Sequence, residues 1–363
     1  MKTIEAPMAG TAPATPQRKF SEEEEIRLMD YPDSTEEIPL LDMSPYLRGE
    51  PGGRERVAAR LKEISETVGF FYLAGHGIPQ SLIERVFAES RRFHGLPSGV
   101  KGAIPWIDRD SHKTGYLGVG QERSERTNVN IISDAKSLYA RFTIIREPDP
   151  RVETNVWPEN LPGFKSVVLE YQAAVEALGK KFLPLWSTAL ELPLDFFDRM
   201  FEIPHVTLSL LHYPPQKAIG GRQYGIAPHT DNSMMTFLAQ ANIPGLAVRM
   251  PSGHWRLVDI IPGTLLVNTG NVIVRWTNDQ FLSTKHRVIN TNSVDRYSIP
   301  VFFGPNADAV IEVVDLPRRA ESTAVRTDHL SRFPQVVLRR VIPVQAVSAT
   351  RSLCSSFRRS RSR

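Results

Sequence analysis

Three side chains in this chain are of the type, and at the spacing, to close on one metal ion. The stretch "GIAPHTDNSMMTFL" (225–238) carries His229 and Asp231 two residues apart. On a strand, residues i and i+2 face the same way, so an imidazole and a carboxylate can be offered to one point with Thr230 turned aside. The pair is weak by itself, because composition alone can produce it. A third ligand changes the reading. The single cysteine, Cys354, excludes thiolate-rich sites and an internal disulfide framework, so that ligand should be another histidine on a β element. His286, in "TKHRVIN" after the "RWTNDQ" turn, is so placed. Two imidazoles and one carboxylate take one face of an iron ion and leave the opposite positions open to small molecules. The other histidines read differently. His76 looks structural at a strand-to-turn position, and His94, His112 and His254 look exposed in polar loops. His205 and His329 sit near element ends, and His212 reads as a packing residue.

Ten residues past His286, "RYSIPVFF" holds a second group with chemical content. Arg296 and Ser298 share a strand face. A guanidinium fork beside a hydroxyl, with apolar flanks, makes a carboxylate receptor, because the fork offers two parallel charge-assisted bonds and the serine a third donor. An arginine paired with a structural Asp or Glu remains open as the alternative on these two residues alone.

These side chains need a rigid frame, and the texture of the chain supplies one. From His205 onward come short β-type runs, "HVTLSLLHY", "SMMTFLAQ", "LAVRM", "WRLV", "TLLVNTG", "KHRVIN", "RYSIPVFF" and "AVIEVV", separated by turn compositions such as "NIPG" and "PSGH". Eight such strands suggest a sandwich, barrel or jelly roll. Ahead of them the pattern is more helical. Val57, Leu61, Ile64 and Val68 predict a helix over 54–68, followed by a strand in "GFFYLAGHGIP". A second helix carries Leu82, Ile83, Val86, Phe87 and Phe93, and a long one runs from about Gly163 to Glu191, with Pro184 expected to kink or break it. Residues 95–160 read as polar loops with a few short strands. The fold class expected is thus a β-rich α+β protein, a double-stranded β-helix (jelly roll, cupin-like) core with flanking helices and a mostly helical N-terminal half. The organisation expected is a flexible arm over 1–35, a helix-rich region over 36–200, a jelly-roll core over 201–316, and a basic C-terminal tail over 317–363.

The net charge of +4 and a pI near 9.1 raise the question of a nucleic-acid partner. Seven arginines and no acidic residue lie between Arg339 and Arg363, so the first 338 residues carry about −3 by the same count. The basicity belongs to the tail, and neither a nucleic-acid nor a membrane partner is expected. No secretory signal and no run of eighteen or so apolar residues is evident, which fits a cytoplasmic protein.

With these residues in view, the chain can be compared with a family. "PHTD", then "RWTNDQFLSTKHRVIN", then "RYSIPVFFGPN" resemble the core of the Fe(II)/2-oxoglutarate-dependent dioxygenases of the isopenicillin N synthase-like superfamily. "EIPLLDMSPYL…GFFYLAGHGIP" is similar to the N-terminal region that accompanies that core, and together these cover most of residues 36–314. The resemblance implies that His229, Asp231 and His286 bind Fe(II). It also implies that Arg296 and Ser298 hold the distal carboxylate of 2-oxoglutarate, and that Tyr213 in "LLHYPPQ" helps to bind the same cosubstrate. It implies an oxidation of a small organic metabolite by O2, most often hydroxylation and otherwise desaturation or cyclisation, with succinate and CO2 released and ascorbate as an accessory reductant. Candidate substrate-facing parts are the loops near 104–132 and the strand end Val301–Phe303. Leu211 stands where plant relatives often carry Asn, and the tail after about Val314 departs from the family's usual apolar closing helix. Two alternatives stay open: an Fe(II) oxidase or cyclase of the same fold that does not use 2-oxoglutarate, and a non-catalytic jelly-roll protein that binds a metal or a small acid. Oligomeric state is not legible.

Overall fold

The computed structural model describes residues 34–109, 112–121, 138–148, 155–215, 224–289 and 293–314. The basic tail, His329 and residues 1–33 of the N-terminal arm expected over 1–35 lie outside them.

Among the described residues, thirteen strands form two sheets. In chain order they are β1 Leu40–Asp42, β2 Phe70–Ala74, β3 Ile107–Arg109, β4 His112–Leu117, β5 Ala140–Ile145, β6 His205–Tyr213 and β7 Ile226–His229. They continue with β8 Met235–Gln240, β9 Leu246–Arg249, β10 Trp255–Leu257, β11 Leu265–Thr269, β12 His286–Val288 and β13 Arg296–Gly304. The major sheet has nine strands in the order β1-β2-β11-β8-β13-β6-β5-β4-β3, and the minor sheet has four, β10-β9-β12-β7. The N-terminal half therefore contributes both flanks of the major sheet, β1 and β2 on one side and β3 to β5 on the other.

Strict alternation in the central strands sorts side chains between two faces. Phe70, Tyr72, Leu266, Leu211 and Tyr213 of the major sheet pack with Leu246, Val248 and Val288 of the minor sheet, which is the interior of the jelly roll. Phe71, Leu73, Val267, Phe237, Leu208 and Val301 point the other way, into a core shared with the helices. Those helices are α1 Gly53–Thr67, α2 Gln80–His94 and α3 Phe164–Ala189, with a short α4 Asn271–Trp276 leading out of β11. α3 lies along the outer face, burying Val168, Tyr171, Val175, Leu178 and Phe182. None of the helices among the described residues is long and apolar enough to cross a membrane.

Several expectations need correction. Of the two outcomes expected at Pro184, a break does not occur: α3 continues through it to Ala189; a proline removes one intrahelical bond, and buried Leu183, Leu185 and Trp186 hold the segment in register. "AVIEVV" is not a strand. Residues 309–314 have no ladder partner, with Val310 57% and Val313 54% exposed. His94 is buried, not exposed: it ends α2 on the same stripe as Ile83, Phe87 and Ser90, and its Nε2 lies 3.0 Å from the Leu210 carbonyl.

Candidate metal centre and cosubstrate clamp

His229 is the last residue of β7, and Asp231 lies just beyond the strand. Strand parity is therefore not what aligns them, contrary to the expectation from i, i+2 spacing. The turn after β7 aligns them instead. The Asp231 carbonyl accepts a 2.7 Å bond from the Asn271 N–H at the start of α4. The residue before Asn271, Gly270, approaches so closely that a Cβ there would lie 2.1 Å from the Ser233 carbonyl oxygen. His286 opens β12 directly opposite His229 in an antiparallel pair, and the two rings lie 4.2 Å apart.

The three ligand atoms converge. His229 Nε2 is 3.7 Å and His286 Nε2 3.6 Å from Asp231 Oδ1, and one ligand atom from each residue lies within 4.8 Å of the others. Each imidazole commits its other nitrogen to a backbone carbonyl, Nδ1 of His229 to Ala227 (2.9 Å) and Nδ1 of His286 to Thr284 (3.1 Å). Those bonds place the proton on Nδ1 and turn the Nε2 lone pair to the centre. Phe70 meets the His286 ring edge-on at 5.2 Å. Asp231 is equally constrained: its Oδ2 accepts from Thr236 Oγ1 (2.6 Å) and Asn268 Nδ2 (2.8 Å), so Oδ1 alone faces the histidines. Burial works against the Asp231 carboxylate, but the charges of His286 and His229 and the Thr236 bond outweigh it and hold the group well below the usual range. Burial likewise disfavours an imidazolium at His286, yet the Asp231 charge and hydrogen bond raise its pKa overall. Such a carboxylate stays ionised and attracts a cation.

Beside this centre lies a second buried cluster. Arg296 and Tyr213 are opposite each other across β13 and β6, and Ser298 is opposite Leu211 in the same pair. The Arg296 guanidinium lies 4.7 Å over the Tyr213 ring, its Nε donates to the Ile243 carbonyl at 3.2 Å, and its Nη1 is buried with no hydrogen-bond partner. Burial lowers the Arg296 pKa, and adjacent Tyr213 opposes that by charge and hydrogen bond. Gly225 makes room for the cluster, since a Cβ there would stand 2.9 Å from the Tyr213 ring. A buried cation with an unpartnered donor is costly unless an anion meets it.

Comparison with known proteins places this arrangement. Residues 38–160 match the family described as "non-haem dioxygenase in morphine synthesis N-terminal". Residues 204–305 match the 2OG-Fe(II) oxygenase superfamily. The 2-oxoglutarate-Fe(II) type oxidoreductase hxnY of Emericella nidulans is 34% identical over 75% of this chain and 80% of its own length. The chain belongs to the 2OG-Fe(II) oxygenase superfamily. A second member, the 2-oxoglutarate-dependent dioxygenase citB of Monascus ruber, is 34% identical over 77% of this chain and 88% of its own. Among solved structures, a full-length Neurospora crassa protein in complex with alpha-KG and thymine superposes with a TM-score of 0.71 at 29% identity, covering 80% of this chain and 93% of that one.

As a 2OG-Fe(II) oxygenase the chain is an oxidoreductase that uses Fe(II), 2-oxoglutarate and O2. Neither alternative left open above is favoured by these relatives. The residues present fit both absent groups: two Nε2 atoms and one carboxylate oxygen suit a divalent iron, and the unpartnered Arg296 Nη1 suits a carboxylate. The substrate-facing expectations divide. Phe303 packs on Phe201 at 5.1 Å and against Gly179 of α3, so Val301 and Phe303 belong to the helix-facing core and not to the pocket. Phe302 alone of the three shares the inward face of Arg296 and Ser298. Of the loops near 104–132, Trp106 stacks on the inward-facing Arg141 at 4.5 Å, while 110–111 and 122–132 lie outside the described residues. Asn268 and Thr236, which hold the Asp231 carboxylate, were missed in the sequence. A polar residue on the inward parity of an otherwise apolar strand, as in "LLVNT", is the signal that would have found Asn268.

Proposed function

We propose that His229, Asp231 and His286 hold Fe(II) through Nε2, Oδ1 and Nε2, that Arg296, Ser298 and Tyr213 hold the distal carboxylate of 2-oxoglutarate, and that the enzyme hydroxylates a small organic metabolite. The observation that carries the reading is the convergence of three ligand atoms whose neighbouring atoms, two Nδ1 and one Oδ2, are all already committed elsewhere. The bound iron supplies the oxidising power for R–H + 2-oxoglutarate + O2 → R–OH + succinate + CO2. The chain's own residues do the rest. The two histidines and Asp231 take one face, leaving room for cosubstrate and O2. Arg296 neutralises the far carboxylate and fixes its position, with Ser298 Oγ as a further donor. Leu211, opposite Ser298, adds an apolar surface rather than a hydrogen bond at that point.

The test is Fe(II)-dependent conversion of 2-oxoglutarate to succinate by the native chain and by His286→Ala. We expect iron binding and succinate formation in the native chain, and loss of both in the variant. Unchanged succinate formation by His286→Ala removes that residue from the site.

A further inference from the structure

The run "AVIEVV" (309–314), which pairs with no strand among the described residues, is attached elsewhere. Its backbone meets the far end of α4. The Ile311 carbonyl accepts a 2.8 Å bond from Arg275 Nε, and the Val314 N–H donates to the Trp276 carbonyl at 2.8 Å. Ile311 and Val314 also pack on the helix-side core. Upstream, Asn306 fastens the same segment to the body of the protein. Its N–H donates to the Met200 carbonyl (2.7 Å) and its Nδ2 to the Arg199 carbonyl (3.0 Å), while its Oδ1 accepts from the Ile203 N–H (2.9 Å). Residues 306–314 thus form a brace, tied at one end to the single turn Asp198–Phe201 and at the other to α4.

What α4 holds in turn is the metal centre. A helix of six residues is too short to persist alone and takes its place from tertiary contacts. At its start, the Asn271 N–H donates to the Asp231 carbonyl, the Asn271 side chain donates to Asn232 Oδ1 at 2.8 Å, and the Val272 N–H donates to the Ser233 carbonyl at 3.3 Å. Residues 231–233, the turn that aims Asp231, therefore hang on the first turn of α4. Its exit leads to the other half of the centre. Asn278 and Asp279, both at positive φ (50° and 64°), follow the end of the helix, and the chain then reaches Thr284, whose carbonyl accepts from His286 Nδ1. A shift of α4 moves Asp231 directly and His286 through this loop. The last turn of α4 is anchored in two ways. Trp276 is buried 5.2 Å from Phe197 and 6.1 Å from Phe201, and such apolar packing is non-directional. The two brace bonds are directional, and they set the rotation of that turn about the helix axis.

We propose that Arg275 is a positioning residue for the iron site: through its bond to Ile311, with the Val314–Trp276 bond beside it, the brace 306–314 fixes the rotation of α4 and so the aim of Asp231. This rests on the reading of His229, Asp231 and His286 given above.

The test uses the full chain with Co(II) in place of Fe(II), because the visible bands of Co(II) report the geometry of its ligands. Arg275→Met keeps the stem and removes the donor, Val314→Pro removes the backbone donor, and Arg275→Lys keeps a side-chain donor. Arg85→Met is the control for general loss of stability, since it breaks an exposed 2.6 Å pair with Glu170 between α2 and α3. We expect Arg275→Met and Val314→Pro each to weaken Co(II) binding about tenfold, as loss of an outer partner does, and to shift the bands of the saturated protein. Arg275→Lys should restore native bands and bind within about threefold of the native chain on the same scale. The 2-oxoglutarate requirement of the Fe(II)-saturated variants should stay close to native. Native affinity and native bands in Arg275→Met would overturn the proposal. So would an equal loss of metal affinity in Arg85→Met, or a rise in the 2-oxoglutarate requirement as large as the loss of metal affinity. If Val314→Pro fails to fold, Arg275→Met, at a half-buried side chain, decides alone. Failure of the underlying reading looks different: the native chain would then show no Co(II) bands, or bands that survive His286→Ala.

Discussion

Replacing Thr236 by valine tests whether the hydrogen bonds behind Asp231 matter to the metal or only to the fold. Valine nearly matches threonine in shape, so Thr236→Val removes the 2.6 Å bond to Asp231 Oδ2 with little change in packing, and leaves the Asn268 bond in place. Asp231 is 6% exposed, so water cannot replace the lost donor. A hydrogen bond to a charged acceptor is worth about 1.5–3 kcal/mol. For a chain of this size that corresponds to a fall in Tm of roughly 2–5 °C in the metal-free protein. The second effect is on aim. With one donor gone, the carboxylate can turn Oδ2 toward the histidines, and loss of such an outer partner typically costs about 10–100-fold in metal affinity. The assay is anaerobic titration with Fe(II), or with Co(II) followed by its visible spectrum, alongside thermal unfolding of the metal-free protein. Thr236→Ser keeps the hydroxyl and should bind metal within about threefold of the native chain on the same scale. A lower Tm with unchanged metal affinity in Thr236→Val would refute the argument that this bond orients the ligand.

Arg296→Gln should raise the apparent requirement for 2-oxoglutarate about 100-fold, two charge-assisted bonds being at stake, and leave Fe(II) affinity nearly intact. A parallel loss of iron in a succinate assay and metal titration would show that Arg296 supports the fold instead. Gly270→Ala would drive a Cβ into the Ser233 carbonyl, so Fe(II) affinity should drop by about tenfold or more, on the same basis as loss of an outer partner; native affinity would show that the turn relaxes freely. Stability should also depend on pH through His94, whose pKa is pushed down to about 3 by burial and by the neighbouring His212. The unfolded chain takes up that proton near 6.5, the folded chain only near 3, so stability is complete above 6.5 and falls as pH drops between the two. Urea unfolding of His94→Gln should lose about 1.4 kcal/mol per pH unit of that slope between roughly pH 6 and 4; an unchanged slope would remove His94 as its source.

Much of the site was legible in the sequence because its residues sit in short β runs whose order along the chain is the order of the motif. The ligand atoms of His229, Asp231 and His286 converge, Arg296 stands opposite Tyr213 with Ser298 further along the same strand, and β6, β8 to β13 form where the apolar runs predict them. What failed did so for physical reasons. "AVIEVV" has strand composition, but a strand exists only with a partner, and pairing is not written in composition. His94 was judged by its polar neighbours Arg91 and Arg92 when its position four residues after Ser90 and seven after Phe87 put it on the buried stripe. The β7 turn was invisible because its geometry is imposed from about forty residues away, by Gly270 and the Asn271 N–H.

The pairing of β2 with β11 and of β5 with β6 has a consequence for how this protein can be divided. Both N-terminal strands lie against strands that the motif residues depend on: β11 bears Asn268, and β6 bears Tyr213. A fragment starting at residue 201 would leave β11 and β6 as raw edges, with unpaired backbone donors and acceptors facing water and other chains. Such a piece would recruit strands from its neighbours and aggregate. The motif-bearing strands thus cannot be cut out or transplanted as a self-contained cassette.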